Sequence, residues 1–408
     1  MKYQLPRGTK DILPGEVKIW QKIEDVCRKI FEKYGFAEIR TPVFEQTELF
    51  ARSIGTTTDI VTKEMYTFLD KKGRSLTLRP EETAPVVRAG LQNNLISPDS
   101  IAKLYYLGPM FRYERPQAGR QRQFNQAGLE FFGSLDPKVD VEVITVAVEL
   151  FNALGLEGLE VDLNSVGCKQ CQPKYIEALK QTLNKQAKEL CEDCKERLKM
   201  NPLRVLDCKN KGCQKFITKV PSATETLCPE CKVHFEQVCK YLKARGITYN
   251  SKVRLVRGLD YYTRTVFEVV SKKLGAQNAV CGGGRYDNLV KDLGGPGIPA
   301  IGFAVGMERI VELIKDQVAG QDLKPALEYF IVCMNAEARE VAFGLLTKFR
   351  AEGKTAEMDF QNKSFKAQMK AADKSGAKFA VIIGEEELRQ KAVTVKDMKS
   401  GDQTKAAL

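Results

Sequence analysis

The side chains best suited to chemistry cluster between Phe111 and Phe132, in FRYERPQAGRQRQFNQAGLEFF. Successive strand residues point to opposite faces. A β-hairpin over this stretch therefore puts Arg112 and Glu114 on one face of its first strand. Arg115 to Arg120, containing Pro116 and Gly119, reads as the connecting loop. On the returning strand Gln126, Gly128 and Glu130 share a face, and Asn125, Ala127, Leu129 and Phe131 take the other. One surface then presents a guanidinium, hydrogen-bonding groups and the gap left by a glycine. That is a polar floor for a charged ligand, with arginine suited to bidentate phosphate contact. A solvated hairpin face gives the same alternation, so spacing alone leaves both readings open.

Composition narrows the chemistry. The only histidine is His234, which excludes histidine-based catalysis elsewhere and leaves carboxylates, arginines or bound ions. At 408 residues the chain is long enough for two or three domains with a large core. Its 43% hydrophobic and 28% charged residues are those of a soluble globular protein. No apolar run approaches the roughly 20 residues of a membrane span, and MKYQLPRGTKDILPG lacks a signal-peptide core. A cytoplasmic location is the expectation. The net charge of +12 permits a polyanionic partner. Between Cys168 and Lys240, 15 basic against 9 acidic residues leave +6, which fits either RNA contact or a solubilising surface.

These residues need elements to hold them. Ile19 to Tyr34 carries apolar residues at helical spacing and stops at Gly35. FAEIRTPVFE is strand-like, with Pro42 marking an edge or bulge. Thr67 to Arg79 reads as two strands around Asp70–Gly73, and Pro80 to Leu91 as a helix with Glu81 and Glu82 at its positive end. A helix over 140–153 and a strand over 159–166 follow the hairpin. The lysine- and cysteine-rich stretch 168–245 reads as an insertion. Strands are expected at 253–255, 265–270 and 301–305, with Gly282–Asp287 after Ala279–Cys281 and a helix from Gly306. Residues 315–328 read as a linker, and beyond it alternating strands and helices predict a small α/β domain with a mostly parallel sheet.

The hairpin within LYYLGPMFRYERPQAGRQRQFNQAGLEFFG resembles the second signature motif of the class II aminoacyl-tRNA synthetases. GIPAIGFAVGMERIV resembles the third, and the helix through Pro42 the first, which in that class makes the dimer interface. LVRGLDYYTRTVFEV, AVCGGGRYDNLV, RGTKDILP and RPEETAPVVRA are similar to the histidyl-tRNA synthetases, over nearly the whole chain. The resemblance implies an α+β fold: a class II antiparallel sheet flanked by helices (1–167 and 246–320), a Cys-rich, mainly helical insertion (168–245) over the tRNA acceptor arm, and a C-terminal α/β anticodon-binding domain (326–408). It implies a homodimer of bacterial type that turns L-histidine and ATP into histidyl-adenylate and pyrophosphate, then moves the histidyl group to the 3′ end of tRNA(His).

Residue by residue, the resemblance implies that Arg112 and Arg257 face each other across the ATP α-phosphate, where charge accumulates. Arg257 replaces a metal ion that other members of the class use there. Arg309 would clamp the far phosphates, with Glu114 and Arg120 helping to hold the nucleotide. Glu81, Thr83, Gln126 and Glu130 would bind the histidine ammonium and imidazole, with Tyr261 and Tyr262 completing the pocket. Strand alternation lets only one of those adjacent tyrosines point inward. Gly282 to Gly284 would bring backbone close to substrate. Mg2+ would accompany ATP. An ionised carboxylate needs no general base to attack in line, and the adenylate phosphate is the expected proton acceptor in transfer. Glu82 stands where many relatives have a small residue, and Asn125 where His or Tyr is frequent.

Four cysteine pairs occur, Cys168/Cys171, Cys191/Cys194, Cys208/Cys213 and Cys228/Cys231. Three have the C-x-x-C spacing used by tetrahedral zinc. One or two structural Zn2+ sites, reduced packing, and redox pairing are the alternatives. Two rival functions share the fold: a catalytically silent paralogue such as the regulatory subunit of ATP phosphoribosyltransferase, expected to lack the anticodon domain, and a class II synthetase for another amino acid.

Overall fold

A computed structural model describes residues 3–117, 119–274, 278–318 and 327–408. Ala118, most of the 315–328 linker and the expected domain limits at 320 and 326 lie outside the described residues. The chain divides into two compact units, Met1–Gly320 and Gln321–Leu408.

The first unit is built on an eight-stranded sheet. From edge to edge it runs Ala37–Glu38, Ala102–Phe111, Gln123–Phe132, Ala300–Gly306, Ala279–Arg285, Thr263–Ser271, Leu159–Ser165 and Tyr249–Ser251. The two outermost pairings are parallel and all those between are antiparallel. Ala127, Leu129 and Phe131 point into the core with Phe303, Ile301, Phe267 and Val269. Over that face lie the helices Pro14–Lys33, Pro137–Ala153 and Met307–Val318, whose apolar residues recur at helical spacing. The opposite face is packed at one end, where Leu104, Phe132 and Ala300 meet Val86, Val87 and Leu289, and bare along its middle. Register places Gly302, Ala304 and Gly306 beside Glu130, Gly128 and Gln126, with Gly282 next to Ala304. A sheet whose middle strands carry glycine or alanine on one face has a trough along it.

Several sequence expectations need correction. The long helix ends at Lys33, and Pro42 sits between the short strands Ala37–Glu38 and Phe44–Gln46 rather than in a helix. The next helix begins at Thr83, not Pro80, because the Glu81 carboxylate accepts from the N–H groups of Thr83 and Ala84 at 2.8 and 3.0 Å and starts it there. Residues 253–255 form a turn, closed by Leu255 N–H donating to Lys252 at 2.7 Å, and the strand lies earlier, at Tyr249–Ser251. The glycine triplet is strand, inside Ala279–Arg285.

The segment from Cys168 is helical: Gln172–Asn184, Glu192–Met200, Lys211–Ile217 and Pro229–Ala244. The first three share a small core around Leu179, Leu183, Leu198, Val205 and Ile217. The last gives Val238 and Leu242 to the core of the large sheet.

The second unit carries a five-stranded sheet in the order Ala356–Met358, Tyr329–Cys333, Phe379–Ile383, Ala392–Asp397, Gln403–Ala407. The first three are parallel, as βαβ crossings through the helices Ala336–Ala351 and Phe365–Ser375 require. The last two form an antiparallel hairpin that the expected mostly parallel sheet did not include.

Candidate active site

One cavity of about 300 Å³ opens on the bare middle of the large sheet, and every residue assigned above to nucleotide or amino acid lines it. Glu81, Thr83, Gln126, Glu130, Tyr261 and Tyr262 are among its walls, and so are Arg112, Glu114, Arg120, Arg257 and Arg309. They fall into two groups with opposite chemistry.

The carboxylate group is buried. Glu130 is 1% exposed and Glu81 3%. Thr83 Oγ1 donates to Glu130 at 2.6 Å, and the Tyr286 hydroxyl donates to its other oxygen. Tyr261 donates to Glu81 at 3.4 Å. Burial pushes the Glu130 carboxyl up to about 8, against the pull of the Thr83 and Tyr286 hydroxyls. It also raises Glu81, against the N–H groups of Ala84 and Thr83. Burial thus disfavours the charged form of both acids, a cost that a cationic or N–H-donating ligand would relieve.

The arginine group is held by main chain and by sparse countercharge. Arg112 Nε donates to the Pro80 carbonyl at 2.8 Å, and its guanidinium lies 5.3 Å from the Phe124 ring. Glu114 sits 4.0 Å from Arg112 and pairs with Arg120. Arg257 pairs with Glu268. Burial opposes the Arg257 charge, and Glu268 together with Tyr262 and Cys281 more than offsets it. Arg309 donates to the Ala279 carbonyl. Burial and the neighbouring Arg120 guanidinium push Arg309 below the usual arginine value. Crowded guanidiniums of this kind form an anion site before any anion is present.

Arg112 and Glu114 reach the cavity for a different reason than alternation. The strand ends at Phe111, and after one more bond, Arg112 N–H to Arg122 at 2.9 Å, the chain leaves the ladder. Tyr261 and Tyr262 likewise precede the strand Thr263–Ser271, so both face the cavity, with ring centroids 4.7 Å apart. The gap at Gly128 is filled from the next strand, since a Cβ there would strike the Tyr106 hydroxyl and the Phe303 carbonyl. Of the glycine triplet only Gly282 lines the cavity, and the space above it belongs to the Arg257 guanidinium.

The structure adds residues that sequence reasoning passed over: Tyr106, Phe124, Glu268, Tyr286 and Glu308. Glu268 had a signal, a lone carboxylate in the apolar strand TVFEVV. His234 is elsewhere, buried with Nε2 3.1 Å from Asp140, which Arg285 also pairs at 2.5 Å.

A family profile described as "Histidyl-tRNA synthetase" matches residues 8–310, and an "Anticodon binding domain" profile matches residues 328–408. A histidine–tRNA ligase of Pelotomaculum thermopropionicum is 51% identical over 403 residues, 99% of this chain and 95% of the relative. The chain belongs to the histidyl-tRNA synthetases. Within that family of aminoacyl-tRNA ligases, the crystal structure of apo Staphylococcus aureus histidyl-tRNA synthetase superposes with a TM-score of 0.82 at 39% identity, covering 99% of this chain and 97% of that one. A Bacillus halodurans C structure described as an ATP phosphoribosyltransferase regulatory subunit/histidyl-tRNA synthetase reaches 0.66 at 23% identity, with 94% and 99% covered, and shows a shared fold alone. The near-full-length identity to histidine–tRNA ligases, rather than the shared fold, separates the chain from the silent-paralogue reading.

Against the usual pattern of histidyl-tRNA synthetases, Glu82 turns away from the cavity. It pairs with Arg79 at 2.8 Å and accepts from Thr41 at 2.6 Å. Asn125 also points away, and its N–H and Nδ2 donate to Glu308 at 2.8 and 3.1 Å. Neither departure displaces a cavity group.

Proposed function

We propose that this cavity performs the histidine–tRNA ligase reaction with its two groups divided between the substrates. Histidine lies at the carboxylate end. Its ammonium and imidazole N–H groups meet Glu81, Glu130, Thr83 and Gln126, and Tyr261 and Tyr262 close the pocket. ATP lies along the arginines. The histidine carboxylate attacks the α-phosphorus and pyrophosphate leaves on the opposite side. Arg112 and Arg257 stabilise charge on the α-phosphate oxygens, and Arg309, Glu114 and Arg120 hold the rest of the nucleotide. Pre-aimed charge in a site closed to water is the largest kind of catalytic contribution. Mg2+ would bind mainly through the ATP phosphates, with Glu114, Glu268 and Glu308 as the carboxylates at that end. Structural zinc in the cysteine clusters completes the cofactor set.

One observation carries this reading. Among the described residues, the buried side-chain atoms without a hydrogen-bond partner include Gln126 Oε1 and Arg257 Nε, both on residues that line the cavity. A buried donor or acceptor left unmade costs free energy. Such atoms also occur elsewhere in the fold, and it is the convergence of two on the cleft that already gathers the carboxylates and arginines that supports a ligand there. No histidine lines the cavity, which agrees with the adenylate phosphate taking the tRNA hydroxyl proton in the transfer step.

The reading extends to a homodimer, a cytoplasmic setting and three functional segments: core, insertion over 168–245, and anticodon-binding domain. Val43, Phe44, Phe68 and Leu69 are exposed around a three-stranded sheet (Phe44–Gln46, Ser75–Leu78, Tyr66–Leu69) beside Pro42, a surface suited to a second copy. All twelve cysteines are unpaired, in keeping with a reducing compartment. No described helix is long and apolar enough to cross a membrane. Amino-acid-dependent ATP–pyrophosphate exchange tests the function directly. Exchange stimulated by histidine is expected, and exchange with another amino acid or with none would reject the assignment.

A further inference from the structure

The eight paired cysteines gather into two tetrads, one nested inside the other: the outermost two pairs meet across 60 residues and the inner two meet each other. Cys168 and Cys171 meet Cys228 and Cys231, while Cys191 and Cys194 meet Cys208 and Cys213, with each set of sulfurs within 4.8 Å. Sγ–Sγ distances of 3.8 Å recur for Cys168–Cys171, Cys168–Cys228 and Cys191–Cys208. A disulfide needs about 2.05 Å. Four sulfurs at tetrahedral corners about 2.3 Å from a zinc ion stand about 3.8 Å apart. Backbone N–H groups are aimed at the sulfurs: Cys168 at Cys171 (3.2 Å), Gln170 at Cys168 (3.4 Å), Cys191 at Cys213 (3.3 Å) and Asn210 at Cys208 (3.4 Å). Such donors favour the thiolate, the form that ligates a metal.

We propose that each tetrad holds one Zn2+ as a tetrathiolate, and that the second zinc braces the loop carrying Arg257. The brace rests on the role given to Arg257 above; the two zinc sites do not. Zn2+ enters without redox chemistry, and the four thiol protons of each tetrad pass to solvent.

The two ions do different work. The first tetrad joins the start of the helical segment, just after the strand Leu159–Ser165, to the start of the helix Pro229–Ala244, 60 residues later. It clasps the segment shut at its base. The second lies inside that span, and between Cys194 and Cys208 the chain presents Asn201 and Arg204. Asn201 Nδ2 donates to Asp260 at 2.8 Å, and Arg204 donates to the Arg257 carbonyl at 2.7 Å while pairing with Asp260 at 3.2 Å. Both ends of this bridge are thus tied to one ion, and its middle grips the turn from which Arg257, Tyr261 and Tyr262 enter the cavity. Arg204 is a positioning residue. The helical segment has only a small core of its own, the circumstance in which small folds rely on a metal.

Elemental analysis of the full chain, purified without chelator, is expected to give about two zinc per chain, and about one after either Cys168→Ser/Cys228→Ser or Cys191→Ser/Cys208→Ser. Less than about 0.3 zinc, or iron in its place, overturns the metal sites. Hydrogen–deuterium exchange then reads the brace without reference to activity. Residues 255–262 should exchange at least about tenfold faster in the Cys191/Cys208 variant and remain within about twofold of wild type in the Cys168/Cys228 variant. Equal effects overturn the brace. Should the Cys191/Cys208 variant fail to fold, Arg204→Ala is read instead. It should keep both zinc ions, speed exchange over 255–262, and lower kcat for pyrophosphate exchange with little change in the KM for tRNA. An unchanged loop in Arg204→Ala also overturns the brace. A wild-type protein that holds two zinc ions but shows no histidine-dependent exchange would sink the functional reading and leave the metal sites standing.

Discussion

The two ends of the cavity solve the problem of buried charge in opposite ways. Glu130 sits mid-strand and Glu81 just ahead of the helix Thr83–Gln92; both are almost wholly covered, and desolvation pushes them toward the uncharged form. Arg112, Arg120 and Arg257 sit on loops or just past strand ends and stay more open, and they cannot shed their charge. Carboxyls can wait uncharged and ionise when a cationic partner comes. Guanidiniums can only wait crowded. The amino-acid end is therefore tuned by protonation, and the nucleotide end by spacing and by its few carboxylates.

Arg257→Ala breaks the contrast hardest. It removes fixed charge from the α-phosphate and should lower histidine-dependent exchange by two or more orders of magnitude with the oligomeric state intact; a rate near wild type would refute its assigned role. Glu130→Gln comes next. The amide cannot ionise, and kcat/KM for histidine should fall about ten- to a hundredfold, mostly through KM, while KM for ATP holds. A loss shared equally between the substrates would show that the two ends are not separable.

The pH profile sharpens the same contrast. Glu130 is raised from the ordinary carboxyl range to about 8, so the free protein carries it largely protonated at pH 7. If the ionised form binds histidine, affinity rises with pH and levels above pH 8, an improvement of about five- to tenfold between pH 7 and 9. Above pH 8 the ATP end should be flat, because Glu64, the raised carboxyl beside Glu114, is shifted by burial only to about 7, and Glu130→Gln should flatten the histidine curve there. A histidine affinity independent of pH above 7 would contradict this account. The smallest effect is expected from Arg309→Ala in the absence of ligand. Removing a crowded, partly desolvated cation should leave the thermal midpoint unchanged or raise it by about 1–3 °C, even as KM for ATP rises. A fall of several degrees would mean that Arg309 is there for the fold.

How far this could be read from the chain depended on where each residue lies. Gln126, Gly128 and Glu130 sit mid-strand, where period two holds, and the opposing Ala127, Leu129 and Phe131 did enter the core. Alternation fails at strand ends. It put Arg112 and Glu114 on a strand that stops at Phe111, and it denied one of Tyr261 and Tyr262 a place in a cavity both line. The class, the activity and the division of roles came from resemblance rather than periodicity. In the second unit the buried strands were visible as apolar runs. The hairpin strand Gln403–Ala407 is exposed throughout and leaves no such pattern. Cysteine spacing showed four pairs, but only the fold could say which pair meets which, because the partners lie up to 60 residues apart.

The bare middle of the large sheet also acts as a ruler. Glu268, Gly282, Ala304, Gly128 and Tyr106 stand side by side on five adjacent strands. The three residues between the outer two contribute nothing larger than a methyl group, and the Tyr106 hydroxyl and the Arg257 guanidinium lean over Gly128 and Gly282. The span of the row is four interstrand spacings, about 19 Å, a length set by main-chain hydrogen bonds that no rotamer change can adjust. Any broadening of substrate range has to come from the walls, at Tyr261, Tyr286 or the arginines.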